Sequence, residues 1–285
     1  MDWGHSPAQR RRGPPGAIAR WDPGATRYHL GMSNFLDDLK APGPLLLLLE
    51  GRAIWEYAAL IAATPWLRRV PEGDGHPVIV LPGLGAGDIT TLPLRTFLND
   101  RGYVPYAWNQ GFNLGPREGV LERLRTLVQE AVQVHGTRVS LVGWSLGGVY
   151  ARELAKEFTN DVRCVITLGA PFSGHPRATN AWRLFEFLNE EHRVHDEEKL
   201  ARLRKAPRVP TTSIYSKTDG IVAWQCSIND PEPHTENIEV QASHIGMGMN
   251  PLALFAIADR LRQDPSTWER FDARGAWRWF FKTAD

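Results

Sequence analysis

The stretch Gly143-Trp144-Ser145-Leu146-Gly147 decides the fold because of what flanks it. Residues 138–144 are typical of a short buried strand, and residues 146–158 are typical of a helix. A serine between a strand and a helix lies on a sharp turn, where side chains two positions before and after it would collide. Glycine at both positions removes that collision. We therefore predict that Ser145 occupies a strained turn at a helix N-terminus, where the helix dipole favours a developing negative charge.

Outward from this turn, short apolar runs alternate with segments of helical spacing. Such runs suit strands buried on both faces, and their alternation with helices implies a mostly parallel sheet. We predict an α/β fold with helices on both faces of the sheet and ligands at the carboxyl ends of the strands. The predicted strands cover residues 77–81, 103–108, 138–144, 162–168, 211–215 and 238–240, and the predicted helices cover 94–100, 117–134, 146–158, 181–189, 196–205 and 251–262.

Composition divides the chain into four parts. Residues 1–40 are polar and predict a flexible arm, whereas residues 41–75 are apolar and predict a helical segment packed on the core. Residues 76–262 form the predicted catalytic domain. Within it the strand–helix rhythm stops over residues 174–210, a heavily charged insertion that we interpret as a small helical lid. Residues 263–285 form an aromatic C-terminal tail.

Charge and cysteine content exclude several functional classes. The chain has 285 residues, 33 of them Lys or Arg and 32 Asp or Glu, so its net charge is +1. This balance gives no electrostatic footprint for a nucleic-acid partner. The two cysteines, Cys164 and Cys226, form neither a zinc motif nor a disulfide framework, so we expect reduced thiols, with a single disulfide as the alternative. We expect no metal and no nucleic acid.

The apolar segment over residues 45–67 contains Glu50, Arg52 and Glu56. A membrane-spanning helix needs about 20 nearly uncharged residues, so we reject that interpretation. Two alternatives remain open: an amphipathic helix packed on the domain, which we favour, and a helix weakly associated with a membrane surface. Three arginines at positions 10–12 lie too far before this segment to form a signal peptide. We expect a cytoplasmic protein, peripheral to the membrane under the second alternative.

A serine hydroxyl is a weak nucleophile, so Ser145 needs a base and an orienting acid. His244 follows the last predicted strand almost at once, where such a base must lie; a solvated loop histidine is the alternative. Asp219 follows the preceding strand and is the candidate acid, with an Asp-Gly turn as the alternative and Asp230 in reserve. For an oxyanion hole, we predict the backbone N–H groups of Leu84 and Leu146.

Apolar side chains in the loops at this edge and in the lid are candidates for substrate binding, with ordinary core packing as the alternative for each. A mostly apolar pocket favours acyl esters over sugars or charged peptides. The candidates are Trp108, Phe112, Phe172, Trp182, Phe185 and Trp224.

The sequence evidence for two other kinds of site, a dinucleotide-binding site and a metal site, is weak. Gly83-Leu84-Gly85 follows a strand but lacks the third glycine of a dinucleotide-binding motif, since position 88 is Asp. His192 and His195 stand near acidic residues, but a solvated charged helix face explains them better than a metal site does.

These residues resemble the α/β-hydrolase family, in particular its serine esterase and lipase branch. The resemblance covers residues 76–262 and extends to a bacterial subgroup through the phrases at 215–220 and 243–246, although Pro82 stands where many lipases have histidine. It implies hydrolysis of a small-molecule acyl ester through an acyl-enzyme on Ser145, with His244 as base, Asp219 as acid and no cofactor. Acyl transfer or thioester hydrolysis by the same residues, or a hydrolase fold used only for binding, remain alternatives.

Overall fold

The computed structural model describes residues 39–173, 178–180, 197–273 and 280–283. Its strands are β1 (Pro77–Leu81), β2 (Val104–Tyr106), β3 (Val139–Trp144), β4 (Val162–Leu168), β5 (Thr211–Tyr215), β6 (Thr235–Glu239) and β7 (Lys282–Thr283). They form one sheet in the order β2-β1-β3-β4-β5-β6-β7. Strands β1 to β6 pair in parallel, and β7 pairs antiparallel with β6. The predicted α/β fold with a mostly parallel sheet is confirmed.

Helices cover both faces of this sheet. The helices are α1 (Pro44–Leu48), α2 (Ala53–Leu67), α3 (Asp88–Asp100), α4 (Val120–His135), α5 (Leu146–Glu157), α6 (Glu197–Arg204) and α7 (Pro251–Leu261), with short 3₁₀ turns at Leu49–Arg52, Trp224–Ser227, Met247–Met249 and Pro265–Thr267. Glycine ends α4 in the left-handed conformation, with φ of 61° at Gly136, as is common at helix C-termini.

The sheet divides the core into two layers because alternate residues of a strand point to opposite faces. Val78 and Val80 of β1 pack with α2, α3 and α7, whereas Ile79 and Leu81 pack with α4 and α5. All five residues of β1 are buried. Burial on both faces explains why β1 is continuously apolar rather than alternating.

Helix α3 begins at Asp88, well before residue 94 where it was predicted to begin. The Asp88 carboxylate accepts the backbone N–H groups of Trp108, at 2.8 Å, and Asn109, at 3.0 Å. These bonds tie the helix start to the chain that leaves β2. Pro93 lies inside α3 rather than before its first residue.

Strand β6 covers Thr235–Glu239, earlier than the predicted 238–240, because its polar first half is satisfied by tertiary partners. Glu236 is buried and pairs with Arg260 at 3.2 Å. Asn237 Oδ1 accepts the backbone N–H of Asn229 at 2.8 Å. Partners distant in sequence therefore make a strand of residues whose local pattern is polar.

The predicted helix over 45–67 is built as α1, a 3₁₀ turn and α2, which contacts α7. Within the described parts of the chain, no helix is long and apolar enough to cross a membrane. Helix α6 nearly matches the helix predicted over 196–205, while the one predicted over 181–189 lies outside the described residues. Both cysteines are buried and free.

Candidate active site

The turn between β3 and α5 holds the predicted nucleophile Ser145 in a strained conformation. Its φ is 53° and its ψ is −122°, an unusual pair of angles for a residue with a side chain. The Ser145 N–H donates to the Leu168 carbonyl at 2.8 Å, which fixes the turn against β4. A Cβ atom on Gly143 would overlap the backbone of Gly147, and one on Gly147 would overlap the carbonyl of Leu81. Both glycines are therefore required for the close approach of strand and helix.

His244 and Asp219 meet at the carboxyl ends of β6 and β5. The His244 Nδ1 and Asp219 Oδ2 atoms are 2.7 Å apart, and both side chains are buried. The other Asp219 oxygen accepts the backbone N–H groups of Ile221 and Val222 at 2.8 and 2.7 Å, which orients the carboxylate. The Trp144 indole donates to the His244 carbonyl at 2.9 Å and links this loop to the serine turn.

The electrostatics of this pair favour a charged imidazole. Burial opposes the charge, but the charge of the Asp219 carboxylate, its hydrogen bond to the ring and the charge of Glu50 together outweigh it. The pKa of His244 is therefore raised above its ordinary value of 6.5. A raised pKa makes the ring a stronger base and stabilises the imidazolium that forms when it takes a proton.

Gly169, directly after β4, lies against the same pair. Its φ is 52°, and a Cβ atom there would lie 3.0 Å from His244 Nδ1 and 3.1 Å from Asp219 Oδ2. Chain segments that follow β3, β4, β5 and β6 thus converge on one point. Among the described residues no hydrogen bond joins Ser145 Oγ to the His244 ring, and catalytic bonds of this kind often tighten only in the complex with substrate.

The predicted oxyanion donors belong to two segments next to this serine. Leu146 is the first residue of α5, so its N–H has no acceptor within the helix. Leu84 stands in the loop after β1. This loop approaches the serine closely, because a Cβ atom added to the preceding Gly83 would lie 3.0 Å from Ser145 Cβ. The buried Asn113 holds this loop by donating from Nδ2 to the Pro82 carbonyl at 2.8 Å.

Comparison with known proteins shows the family of the chain. The sequence model of the alpha/beta hydrolase family matches residues 54–283. The chain belongs to this family. A curated relative, the serine hydrolase BPHL of Mus musculus, is 30% identical over 112 residues, which are 36% of this chain and 38% of the relative. The chain thus matches well under half the length of that relative.

Two solved structures are similar to this chain. The crystal structure of Aspergillus fumigatus lipase B has a TM-score of 0.50 and 22% identity, covering 68% of this chain and 55% of that chain. An alpha/beta superfamily hydrolase from Oenococcus oeni PSU-1 has a TM-score of 0.45 and 18% identity, covering 66% of this chain and 91% of that chain. At these identities the likeness to lipase B shows the fold alone.

Two candidate substrate-binding residues of this alpha/beta hydrolase reach solvent. Phe112, in the loop after β2, is 72% exposed. Trp224 is half-buried and stacks on Tyr215, with ring centroids 5.6 Å apart. Trp182 and Phe185, the candidates from the predicted lid, lie outside the described residues.

The other two candidates lie in the interior of the hydrolase. Trp108 is 2% exposed and stacks on Tyr150, with centroids 6.0 Å apart. Phe172 is also buried, under the guanidinium of Arg152 at 3.7 Å from the ring centroid. Contact between either ring and a substrate would therefore need a movement of its neighbours.

The hydrolase also holds a second Ser–His–Asp arrangement, which the sequence did not indicate. His76 Nε2 lies 2.8 Å from Ser140 Oγ, and His76 Nδ1 contacts Asp74. Ser140 is completely buried near the start of β3, at the opposite edge of the sheet from Ser145. A substrate cannot reach it there, so we interpret this group as a structural hydrogen-bond network that also includes Cys164.

The alternative site residues take other roles. Asp230, the reserve acid, forms a bidentate pair with Arg204 at 2.6 and 2.9 Å. Among the described residues, no group of three or more His, Cys, Asp or Glu could hold a metal ion. His192 and His195 lie outside those residues.

Residues that the sequence analysis did not assign to the site also contact it. Asn113 supports the oxyanion loop, and its only sequence signal was its position after β2. Glu50, Arg52 and Glu56, used there only to exclude a membrane span, hydrogen-bond to the loops that carry Asp219 and His244.

Proposed function

We propose that this alpha/beta hydrolase cleaves carboxylic acyl esters through an acyl-enzyme on Ser145, with His244 as base and Asp219 as orienting acid. The observation that carries the proposal is the 2.7 Å contact between His244 and Asp219, made by separate strand ends beside the strained serine turn. Their side chains are only 7% and 2% exposed, which argues against a solvated loop histidine and a simple Asp-Gly turn.

The proposed reaction begins when His244 takes the proton of Ser145 and the serine oxygen attacks the acyl carbonyl. The negative charge of the tetrahedral intermediate is stabilised by the N–H groups of Leu84 and Leu146. The imidazolium, held by Asp219, then gives its proton to the departing alcohol. Water attacks the acyl-enzyme with His244 again as base, and the serine is regenerated.

Labelling with a fluorophosphonate probe, together with hydrolysis of a p-nitrophenyl ester, tests this proposal. Ser145→Ala should abolish both signals, and Ser140→Ala, which alters the serine of the buried second arrangement, is the matched control. Asp219→Asn should lower kcat by about 10⁴-fold, whereas Asp230→Asn should leave it nearly unchanged. Turnover that survives Ser145→Ala would refute the assignment.

The same assay separates the alternatives. In acyl transfer or thioester hydrolysis, the acyl-enzyme also forms on Ser145, so the labelling is unchanged. An acyltransferase would show partition of the acyl group to an added alcohol or thiol in competition with water. A fold used only for binding would show neither labelling nor turnover. A series of acyl chain lengths tests the expected preference for apolar substrates.

We also propose that the N-terminal helices contact a lipid surface. Their outward side chains form an exposed apolar patch that includes Trp55 and Trp66, and aromatic residues of this kind favour lipid interfaces. Arg68 and Arg69, exposed directly after α2, would meet anionic headgroups. The residues exposed by more than half are Leu45, Leu48, Ile54, Trp55, Ile61 and Trp66.

Co-sedimentation with vesicles tests this contact. We expect binding to phosphatidylcholine vesicles, stronger when phosphatidylglycerol is added. Replacing Ile54 and Trp55 together with serine should remove it, while Val134→Ser, at a 71% exposed position of α4, should not. A concentration-dependent dimer without vesicle binding would instead show that a second copy covers the patch, and would refute the proposal.

A further inference from the structure

The 3₁₀ turn Leu49–Arg52, between α1 and α2, lies against both loops of the proposed acid–base pair. Glu50 in this turn is only 4% exposed. One of its oxygens accepts the backbone N–H groups of Gly220 at 2.7 Å and His244 at 3.0 Å, and the other accepts that of Ile245 at 2.9 Å. A single carboxylate thus joins the residue directly after Asp219 to His244 itself.

Two neighbours of Glu50 extend this contact. The Arg52 guanidinium donates to the carbonyl oxygens of Thr218 and Ala242, each at 2.7 Å. Glu56 accepts the N–H of Ser243 at 2.5 Å and its hydroxyl at 2.9 Å. Glu50 and Arg52 therefore each reach both loops, and Glu56 reaches the loop that carries His244. Glu50 and Arg52 lie before residues 54–283, the stretch that matches the family.

A buried carboxylate is retained at this position against a desolvation cost. Among the described residues, Glu50 forms no ion pair, so only N–H donors compensate that cost. Both carboxylate oxygens of Glu50 are needed to accept the three backbone N–H groups, whereas a neutral amide side chain offers only one acceptor oxygen. The arrangement therefore selects a carboxylate rather than any polar side chain of the same length.

We propose that Glu50 is a positioning residue, whose carboxylate holds the His244 and Asp219 loops in register and whose charge favours the His244 imidazolium. This rests on the proposed function of Ser145, His244 and Asp219. Since Glu50 bonds the backbone and touches no reacting atom, its effect is exerted through His244.

Three other charged side chains lie near His244. Asp219 faces it directly from the loop after β5, and Arg52 and Glu56 reach its neighbours from the N-terminal side. Burial raises the pKa of Glu56 against the effect of its hydrogen bonds to Ser243. A Glu50 variant must therefore keep Asp219, Arg52 and Glu56 unaltered, so that a change in its pH–rate profile is due to Glu50.

The test is Glu50→Gln in the full chain, with kcat and KM measured against pH on a p-nitrophenyl ester. A misplaced base is expected to lower kcat by about 10- to 10²-fold, with KM changed far less. Loss of the nearby negative charge should shift the acid limb of the kcat/KM profile to lower pH. Glu130→Gln, at an exposed position of α4, is the matched control and should change neither.

Glu50→Asp separates position from charge. It keeps the charge but withdraws the carboxylate by one methylene, so kcat should fall while the acid limb stays near that of the original protein. Unchanged kcat and acid limb in Glu50→Gln, with Ser145 still labelled, would overturn the inference and leave the proposed function intact. Failure of both variants to fold would show a purely structural role and would also overturn it. Absence of labelling in the original protein would instead refute the proposed function.

Discussion

Replacing Asn113 by alanine tests how the first oxyanion donor is held in place. The Asn113 side chain donates to the Pro82 carbonyl at 2.8 Å and accepts the Gly115 N–H at 3.2 Å. Its backbone already exchanges two hydrogen bonds of 2.8 Å with Gly85 and Ala86. The alanine variant keeps those backbone bonds and removes the side-chain bonds to Pro82, Gly115 and the Tyr150 hydroxyl, of which the bond to Pro82 supports the loop that carries Leu84.

The effect on stability follows from the groups left behind. Each lost hydrogen bond contributes about 1 kcal/mol, and a buried group left without a partner costs about 1–3 kcal/mol. Because Asn113 is completely buried, water does not readily replace it. We therefore expect Asn113→Ala to lower the free energy of unfolding by about 2–4 kcal/mol. At about 2–3 °C per kcal/mol, the Tm should fall by about 5–10 °C.

The effect on rate follows from the position of the Leu84 N–H. Complete loss of an oxyanion donor costs about 2.7–4 kcal/mol of transition-state stabilisation. Asn113→Ala displaces this donor without removing it, so we expect about half of that cost, or a fall in kcat of about 10- to 30-fold. KM should change little, because the donor acts on charge that develops only in the transition state.

Ester hydrolysis well below the lowered Tm, together with thermal unfolding, provides the assay. Asn99→Ala, at an exposed position of α3, is the matched control for loss of an asparagine. A variant with a lowered Tm and unchanged kcat would refute the reasoning, because it would show that Leu84 is positioned without Asn113.

Three further predictions follow from the same structure. Because only the neutral His244 ring accepts a proton and its pKa is raised, kcat/KM should fall as pH drops through a value above 6.5, measured by a pH–rate profile. Gly169→Ala should lower kcat by about 10-fold or more while the protein remains folded. The added methyl group would press on the His244–Asp219 contact, and residue 169 has a positive φ. Unchanged ester hydrolysis would contradict this. Arg260→Met should lower the free energy of unfolding by about 3 kcal/mol, since it leaves Glu236 buried without its cation, and urea denaturation measures the loss.

The strand–turn–helix around Ser145 could be predicted from the sequence because its causes are local. Two glycines must flank the turn whatever surrounds it, and the buried strands are apolar because both of their faces are covered. His244 and Asp219 could be named because parallel strands bring their carboxyl ends to one edge. Local pattern and topology were therefore sufficient for these three positions.

Other features could not be predicted because their partners are distant in the chain. The polar start of β6 is a strand because Glu236 meets Arg260, and no local pattern contains that pair. Asn113 looked like any loop asparagine, although it supports the oxyanion loop through Pro82. Trp108, expected at the substrate, is buried against Tyr150, since an aromatic residue at a strand end serves core and pocket equally well.

The N-terminal segment shows most clearly how a local pattern of charged and apolar residues can mislead. Charged residues in an apolar helix are normally taken as its solvent face, and the sequence offered Glu50, Arg52 and Glu56 no role beyond excluding a membrane span. In the structure they point inward to the loops of the acid and base, while Ile54 and Trp55 point outward. Buried charges tolerate only the orientation in which their hydrogen bonds form. The three charges therefore fix how the segment lies on the hydrolase, and the apolar side faces outward as a consequence.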